Sequence, residues 1–290
     1  MFKIVKAKTL CENVKLLEIE APFIARKAEP GQFIILRIDA HGERVPFTLA
    51  GYDRAHGTVT IIIQEVGKTS MQLGSLQEGD FLLDVAGPLG TASELEGIKR
   101  AAVIGGGLGC AIAYPQAKKL HELGAQVDIV AGFKTRSLVI LEEEMRACCD
   151  RLFVCTDDGS YGENGFVTNT LKRLLEDDVK SGAAPYDTVI AIGPLPMMKF
   201  VSALTKPYGI KTIVSMNPIM IDGTGMCGGC RVRVGGETKF ACVDGPDFDG
   251  HQIDFDDAMR RLAIYKTQET RARERYCRLL NETERGDLNA

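Results

Sequence analysis

The apolar run Arg100-Ala101-Ala102-Val103-Ile104 opens directly onto Gly105-Gly106-Gly107-Leu108-Gly109, and a helix-length stretch continues to Leu123. A buried-type strand that enters a helix through a glycine turn commits the chain to crossover connections rather than hairpins. Residues 127–131, 152–155, 188–192 and 212–215 read as further strands of the same kind, separated by helix-length segments such as 141–148 and 168–176. A parallel α/β sheet is the expected outcome.

The flanking regions follow other rules. Residues 2–5, 14–19, 32–38 and 59–63 are short, rich in β-branched residues and broken by Pro30-Gly31, His41-Gly42 and His56-Gly57, which suggests an antiparallel β-barrel. From residue 217 a Gly- and Cys-rich loop leads into strands at 230–234 and 239–242, joined by a Gly235-Gly236 hairpin turn. A helical stretch begins at Asp256. Three units are therefore expected: a barrel over 1–97, an α/β domain over 98–215 and a small loop domain with a C-terminal helix over 216–290. The charge run over 266–275 reads as a solvated helix face.

Composition excludes several functions. A net charge of −4 with no basic, aromatic-interleaved stripe leaves nothing for nucleic acid to bind. No apolar run reaches the ~20 residues that span a bilayer, and the N-terminus lacks the apolar core of a signal peptide, so no membrane association and a cytoplasmic location are expected. Nine cysteines is an odd number, and only Cys227, Cys230 and Cys242 cluster, which points to metal rather than disulfides.

Three motifs carry chemistry. In Gly105 to Gly109, absent side chains let the backbone approach a pyrophosphate at a helix N-terminus, although such turns also serve close packing alone. In Arg44-Val45-Pro46-Phe47-Thr48-Leu49, a cation, an aromatic ring and a hydroxyl suit a flavin's phosphate, ring system and N5; an ordinary edge strand is the plainer reading. The third motif is Asp222-x4-Cys227-x2-Cys230-x11-Cys242, with Gly223, Gly225, Gly228 and Gly229 free to wrap a metal centre. It has the spacing of a plant-type [2Fe–2S] site with aspartate at the first ligand position. Carboxylate is a harder ligand than thiolate, and a zinc knuckle is the competing reading.

Together these motifs resemble the ferredoxin–NADP reductase superfamily. Val66-Gly67-Lys68-Thr69-Ser70 falls where such proteins wrap the flavin pyrophosphate, and Gly87-Pro88-Leu89-Gly90 where the barrel closes. Gly193-Pro194-Leu195-Pro196-Met197-Met198 is similar to the family's Gly-Pro-x-x-Met turn near the nicotinamide, with Ile192 in place of the usual preceding cysteine. The barrel, nucleotide domain and cluster loop, over residues 2–266, resemble more narrowly the electron-transfer subunit of dihydroorotate dehydrogenase and its relatives. Asp222 favours the branch of small subunits from NADH-dependent ferredoxin:NADP oxidoreductases over the dihydroorotate branch, whose cluster has four cysteines.

The resemblance implies FAD, NAD(H) and a [2Fe–2S] cluster, with the chemistry supplied by cofactors and no catalytic side chain. It places Arg44 on flavin phosphates and Phe47 and Thr48 against the flavin ring, with Pro46, Leu49, Gly67 to Ser70 and Gly87 completing that site. Gly105 to Gly109, Gly193, Pro194 and Met197 are expected to hold the nicotinamide dinucleotide. Arg136, Asp157 and Asp158 are candidates for its adenosine end, where a carboxylate favours NADH over NADPH. It further implies a large partner subunit carrying a second flavin and [4Fe–4S] clusters, with ferredoxin reached through the complex and electrons bifurcated. A dihydroorotate- or sulfide-linked electron-transfer subunit, or a zinc-stabilised or redox-sensing binding module, remain alternatives.

Overall fold

In the computed structural model, which describes residues 1–287, the alternating pattern of the first ninety residues becomes two antiparallel sheets around one core. The strands are β1 (Phe2–Cys11), β2 (Val14–Glu20), β3 (Phe33–Arg37), β4 (Val45–Thr48), β5 (Gly51–Asp53), β6 (Thr58–Gln64), β7 (Phe81–Leu82) and β8 (Asp84–Leu89). One sheet has the order β5-β6-β2-β1-β7, the other β4-β3-β8. Ile4, Leu17, Ile19, Ile61 and Ile63 from the first meet Ile34, Leu36 and Val85 from the second in a common apolar interior. Two short helices, α1 (Pro22–Ala25) and α2 (Lys68–Ser75), lie in its connections.

The glycine turn begins the second layer as expected. Strands β9 (Arg100–Gly106), β10 (Gln126–Phe133), β11 (Arg151–Thr156), β12 (Glu163–Asn164), β13 (Thr188–Ile192) and β14 (Lys211–Ser215) alternate with α3 (Gly109–Glu122), α4 (Glu142–Arg146), α5 (Val167–Ser181) and α6 (Leu195–Thr205). With β17 (Asp247–Asp249) at its edge, the sheet order is β12-β11-β10-β9-β13-β14-β17, parallel throughout except at that last member. Alternation along β9 explains why helices cover both faces. Ala101 and Val103 pack with Ala111, Ala117 and Leu120 of α3, whereas Ala102 and Ile104 pack with Leu171 and Leu174 of α5 and Val201 of α6. Burial of each Val, Leu or Ile among these contributes about 1.5–3 kcal/mol, and of each Ala less. The chain steps outward from β9 in one direction through β10 and in the other through β13, so the ends of β9 and β13 form a topological switch point where a crevice opens.

Beyond β14 the chain builds the hairpin β15 (Arg231–Val234) and β16 (Glu237–Phe240), turned at Gly235 (φ 60°) and Gly236 (φ 85°). Two successive positive φ angles are what a tight type I′ turn demands. The short strand β17 (Asp247–Asp249), unanticipated from sequence, pairs antiparallel with β14. Helix α7 (Phe255–Leu262) follows and buries Phe255 and Ala258. Helix α8 (Lys266–Asp287) packs on α2 of the barrel, and Arg271, Arg273, Arg275 and Arg278 are exposed along it. Among the described residues no helix is long and apolar enough to cross a membrane.

Candidate functional site

At the switch point a cavity of about 640 Å³ opens between barrel and sheet. Pro46 and Thr48 of β4 form one wall, Gly106 to Gly109 and Gly193-Pro194 another, and residues 215–218 leading to the cysteine loop a third. Three segments distant in sequence thus meet around one cavity.

The alternation of β4 divides its motif. Pro46 and Thr48 line the cavity, whereas Phe47 pairs with Ile34 and packs, half-buried, on the barrel core, and Leu49 is fully inside it. Of the two groups expected against the flavin ring, therefore, Thr48 borders the cavity and Phe47 lies on the other side of the strand, because successive side chains in a strand point to opposite faces. Arg44 is exposed, and its charge helps hold the Asp222 carboxylate low, which places the barrel cation next to the cysteine loop. Gly67 precedes α2, and Ser70 Oγ accepts from the Gly67 and Val66 N–H groups at 2.9 and 3.0 Å. Thr69 is tied down as well, its hydroxyl donating to Glu43 at 2.7 Å; Lys68 stands at the start of the same helix. Gly87 lies in β8 against Ile34, too close for any side chain.

The glycines of the nucleotide turn do different work. A Cβ on Gly105 would sit 2.7 Å from Cys110 Sγ, one on Gly106 2.4 Å from Met197 Sδ, and one on Gly109 2.3 Å from the Ile192 carbonyl oxygen. These three glycines let α3 and α6 close onto the sheet. Gly107 alone, at φ 57°, has open space before it and presents bare backbone to the cavity. Met197 supports the turn from behind rather than lining the cavity. Cys110 is fully buried, its thiol pushed up to about 12 by desolvation, so it remains a neutral packing group.

Beyond the ends of β10 and β11 lies a polar patch. The Arg136 guanidinium stacks over the Tyr161 ring at 5.3 Å, and the Arg136 N–H donates to Ser160 Oγ at 2.8 Å. The Tyr161 hydroxyl donates to Glu142 at 3.0 Å. Asp158 Oδ1 accepts from the Ser160 hydroxyl at 2.6 Å and the Ser160 N–H at 3.0 Å, and these bonds hold its carboxyl below the usual range. It is therefore committed to its own turn. Asp157 is exposed, anchored through its N–H to the Phe133 carbonyl at 3.0 Å, with its carboxylate turned to no protein donor among the described residues. Glu142 and Tyr161 form part of this patch although neither was singled out from sequence, since they are nineteen residues apart and only the parallel crossover joins them.

The four candidate metal ligands form two pairs. Cys230 and Cys242 are buried with their sulfurs 3.2 Å apart, and Gly225 N–H donates to Cys242 Sγ at 3.1 Å. Burial, then the neighbouring Cys230, pushes the Cys242 thiol up to about 12. Cys227 is exposed and receives the Gly229 N–H at 3.4 Å, which lowers its pKa and favours thiolate. Asp222, whose negative charge reaches Cys227, accepts from the Thr224 N–H at 3.0 Å and from its hydroxyl, bonds that hold its carboxyl low. Gly223, Gly225 and Gly228 take φ of 83°, 86° and 66°, and a Cβ on Gly223 would strike Ile35 of β3 at 2.3 Å. Among the described residues no three of these ligands converge as one metal ion requires. The Cys230–Cys242 pair and a separate Cys227, each with an N–H directed at sulfur, suit a two-iron cluster better than a tetrahedral zinc site.

Two family models match stretches of the chain. Residues 1–93 match the family model of the oxidoreductase FAD-binding domain, and residues 217–254 that of the iron–sulfur cluster binding domain of dihydroorotate dehydrogenase B. A Thermotoga maritima homolog of the dihydroorotate dehydrogenase B (NAD(+)) electron transfer subunit is 42% identical over 97% of this chain and 98% of its own length. The corresponding electron transfer subunit of Bacillus caldolyticus is 34% identical over 85% of this chain and 95% of its own. A solved structure of an NADH-dependent reduced ferredoxin–NADP oxidoreductase, described for flavin-based electron bifurcation, superposes with a TM-score of 0.89 at 41% identity, covering 96% of this chain and 98% of that one.

Proposed function

The chain belongs to the dihydroorotate dehydrogenase B electron-transfer subunit family, an FAD- and iron–sulfur-binding oxidoreductase family, and from that premise we propose that it draws electrons from NADH and delivers them singly to a larger partner subunit. The observation that carries this reading is the cavity in which the barrel, the glycine turn and the approach to the cysteine loop share walls. FAD, when bound, supplies the conversion of a two-electron hydride donor into one-electron transfers.

The residues then divide the work. Thr48 offers a hydroxyl at the cavity wall to orient the flavin ring, while Arg44 and the first turn of α2 at Gly67 to Ser70 hold its phosphates. Gly107 lets the dinucleotide approach the backbone, and Gly193-Pro194 limits the space left for the nicotinamide. Asp157, whose carboxylate is free, accepts from the ribose hydroxyl and disfavours a 2′-phosphate, with Arg136 on Tyr161 flanking the adenosine end. Asp222 with Cys227 and Cys230 with Cys242 ligate a [2Fe–2S] cluster.

Electrons reaching that cluster need an acceptor. Exposed Ile221, Met226, Val243, Ile264 and Tyr265 surround the cysteine loop, an apolar surface suited to a subunit that docks over Cys227. The similarity to a structure described for electron bifurcation, together with Asp222 in the ligand set, favours a large flavin- and [4Fe–4S]-bearing partner, with ferredoxin and NADP served through the complex. A dihydroorotate-linked partner is the second reading, favoured by the Bacillus caldolyticus relative. The purified chain should oxidise NADH with artificial dyes yet reduce no ferredoxin with NADPH until the large subunit is added. Full NADH-dependent ferredoxin:NADP turnover by the single chain would overturn the division of labour.

A further inference from the structure

Where the three segments join, a carboxyl group is enclosed by neutral side chains. Asp247 of β17 has its Oδ2 accepting from Ser93 Oγ at 2.6 Å and from Gln116 Nε2 at 3.2 Å, and Ser215 is its partner across the β14–β17 ladder. Ser93 follows the barrel, Gln116 lies in α3 and Ser215 ends β14. None of the three is titratable, and no charged side chain acts on the carboxyl from any of these elements.

Two oxygens of this group are left over. Asp247 Oδ1 and Gln116 Oε1 are both sealed from solvent and have no hydrogen-bond partner among the described residues, and Gln116 is fully buried. They belong to a carboxyl and an amide already joined through Nε2 and Oδ2. An ionised carboxylate has no donor to give the amide oxygen. Turning the amide over would instead set its oxygen against Asp247 Oδ2. One proton on Oδ1 resolves both deficits, because the acid O–H then donates to Oε1 while the amide N–H donates to Oδ2. We infer that Asp247 is held as a neutral carboxylic acid in a cyclic acid–amide pair with Gln116, and that this pair is a positioning device fixing barrel, nucleotide sheet and cluster segment to one another. Burial acts in the same direction, raising the pKa of the carboxyl against the pull of Ser93, Ser215 and Gln116.

The location gives the pair its leverage. Ser215 and Pro246, the ladder partner and a chain neighbour of Asp247, line the cavity, and Gln116 rides on the helix that starts at Gly109. Loosening the pair would let the barrel wall carrying Thr48 shift against the glycine turn. The existence of the pair does not depend on which cofactors occupy the cavity; its effect on hydride transfer rests on the reading above. The sign of the pH effect follows from linkage. A carboxyl whose folded pKa is raised contributes fully below its unfolded pKa, and that contribution is lost as pH rises through the folded value.

The test uses the full chain with aspartate carbon-13 labelling. Wild type minus Asp247→Asn infrared spectra at neutral pH should show the carbonyl stretch of a buried protonated acid, shifting in heavy water. Asp247→Asn, which keeps a permanent N–H donor in place of the acid proton, should match the wild-type melting temperature below about pH 4 and surpass it increasingly as pH rises toward the folded pKa. With flavin bound, it should reduce with NADH within about twofold of wild type, whereas Asp247→Ala should be slowed tenfold or more. If Asp247→Ala fails to fold, the infrared and melting comparisons of wild type with Asp247→Asn still decide. Absence of the acid band, with Asp247→Asn losing stability at neutral pH, would show an ionised Asp247 and overturn the inference. An intact band and melting profile with unchanged flavin reduction in Asp247→Ala would leave the acid but refute its positioning role.

Discussion

The nucleotide turn and the cysteine loop are both glycine-rich, yet glycine serves opposite ends in them. At Gly105, Gly106 and Gly109 a side chain would collide with Cys110, Met197 or the Ile192 carbonyl, so these residues permit close packing of helices on a sheet. At Gly223, Gly225 and Gly228 the backbone itself is left-handed, a conformation that bends the chain around its sulfurs. In the first region the rigid sheet determines the loop. In the second the loop is shaped around the ligand it holds, and its core contacts are few beyond Cys230 and Cys242. Damage should therefore read out as lost stability in one region and lost iron in the other.

The largest expected effect separates the two directly. Cys230→Ala should eliminate bound iron and the paramagnetic signal of the reduced cluster while flavin content stays stoichiometric, because the barrel interior around Ile4, Leu17, Ile34 and Ile61 contains no loop residue. Parallel loss of flavin would mean that the regions fold as one. Next in size, Gly109→Ala should destabilise the protein by about 1–3 kcal/mol, since its Cβ would meet backbone that cannot swing away. Gly107→Ala, at positive φ but with open space, should cost about 1 kcal/mol in chemical denaturation and weaken NADH binding more than Gly109→Ala does. Equal stability losses in the two variants would erase the distinction between packing and approach.

A subtler change tests the loop's ligand set. Asp222→Cys should retain a cluster and lower its reduction potential, because thiolate donates more charge to iron than carboxylate. An unchanged potential and paramagnetic spectrum would remove Asp222 from the ligands. The smallest effect belongs to the rim of the nucleotide site. The chain should show a higher kcat/KM for NADH than for NADPH in diaphorase assays, and Asp157→Asn should narrow that preference severalfold. Asp158→Asn should narrow it less, because that carboxylate is spent on Ser160. The reverse ranking of the two variants would reassign the ribose contact.

Local pattern carried far in this chain. The alternation of β9 and its glycine exit, the Gly235-Gly236 hairpin and the spacing from Asp222 to Cys242 were readable because each depends on neighbours within a few residues. The β4 motif was readable only in part. Its sequence names a ring and a hydroxyl, but the register with β3 turns Thr48 to the cavity and Phe47 to the core. Other features had no local signal at all: β17 pairs with β14 across more than thirty residues, and Glu142 meets Tyr161 only because β10 and β11 run side by side.

Sequence by itself thus determined the order of barrel, parallel sheet and cysteine loop, and offered candidates for binding a dinucleotide or iron, since periodicity, turn chemistry and ligand spacing are properties of contiguous chain. Tertiary structure alone decided which groups face one another. It set Arg44 near Asp222, gathered Thr48 and Gly107 around one cavity, and enclosed Asp247 with Gln116, Ser93 and Ser215. The burial of Asp247 depends on three surfaces that come together only when the chain has folded, and no local pattern encodes the exclusion of water that results.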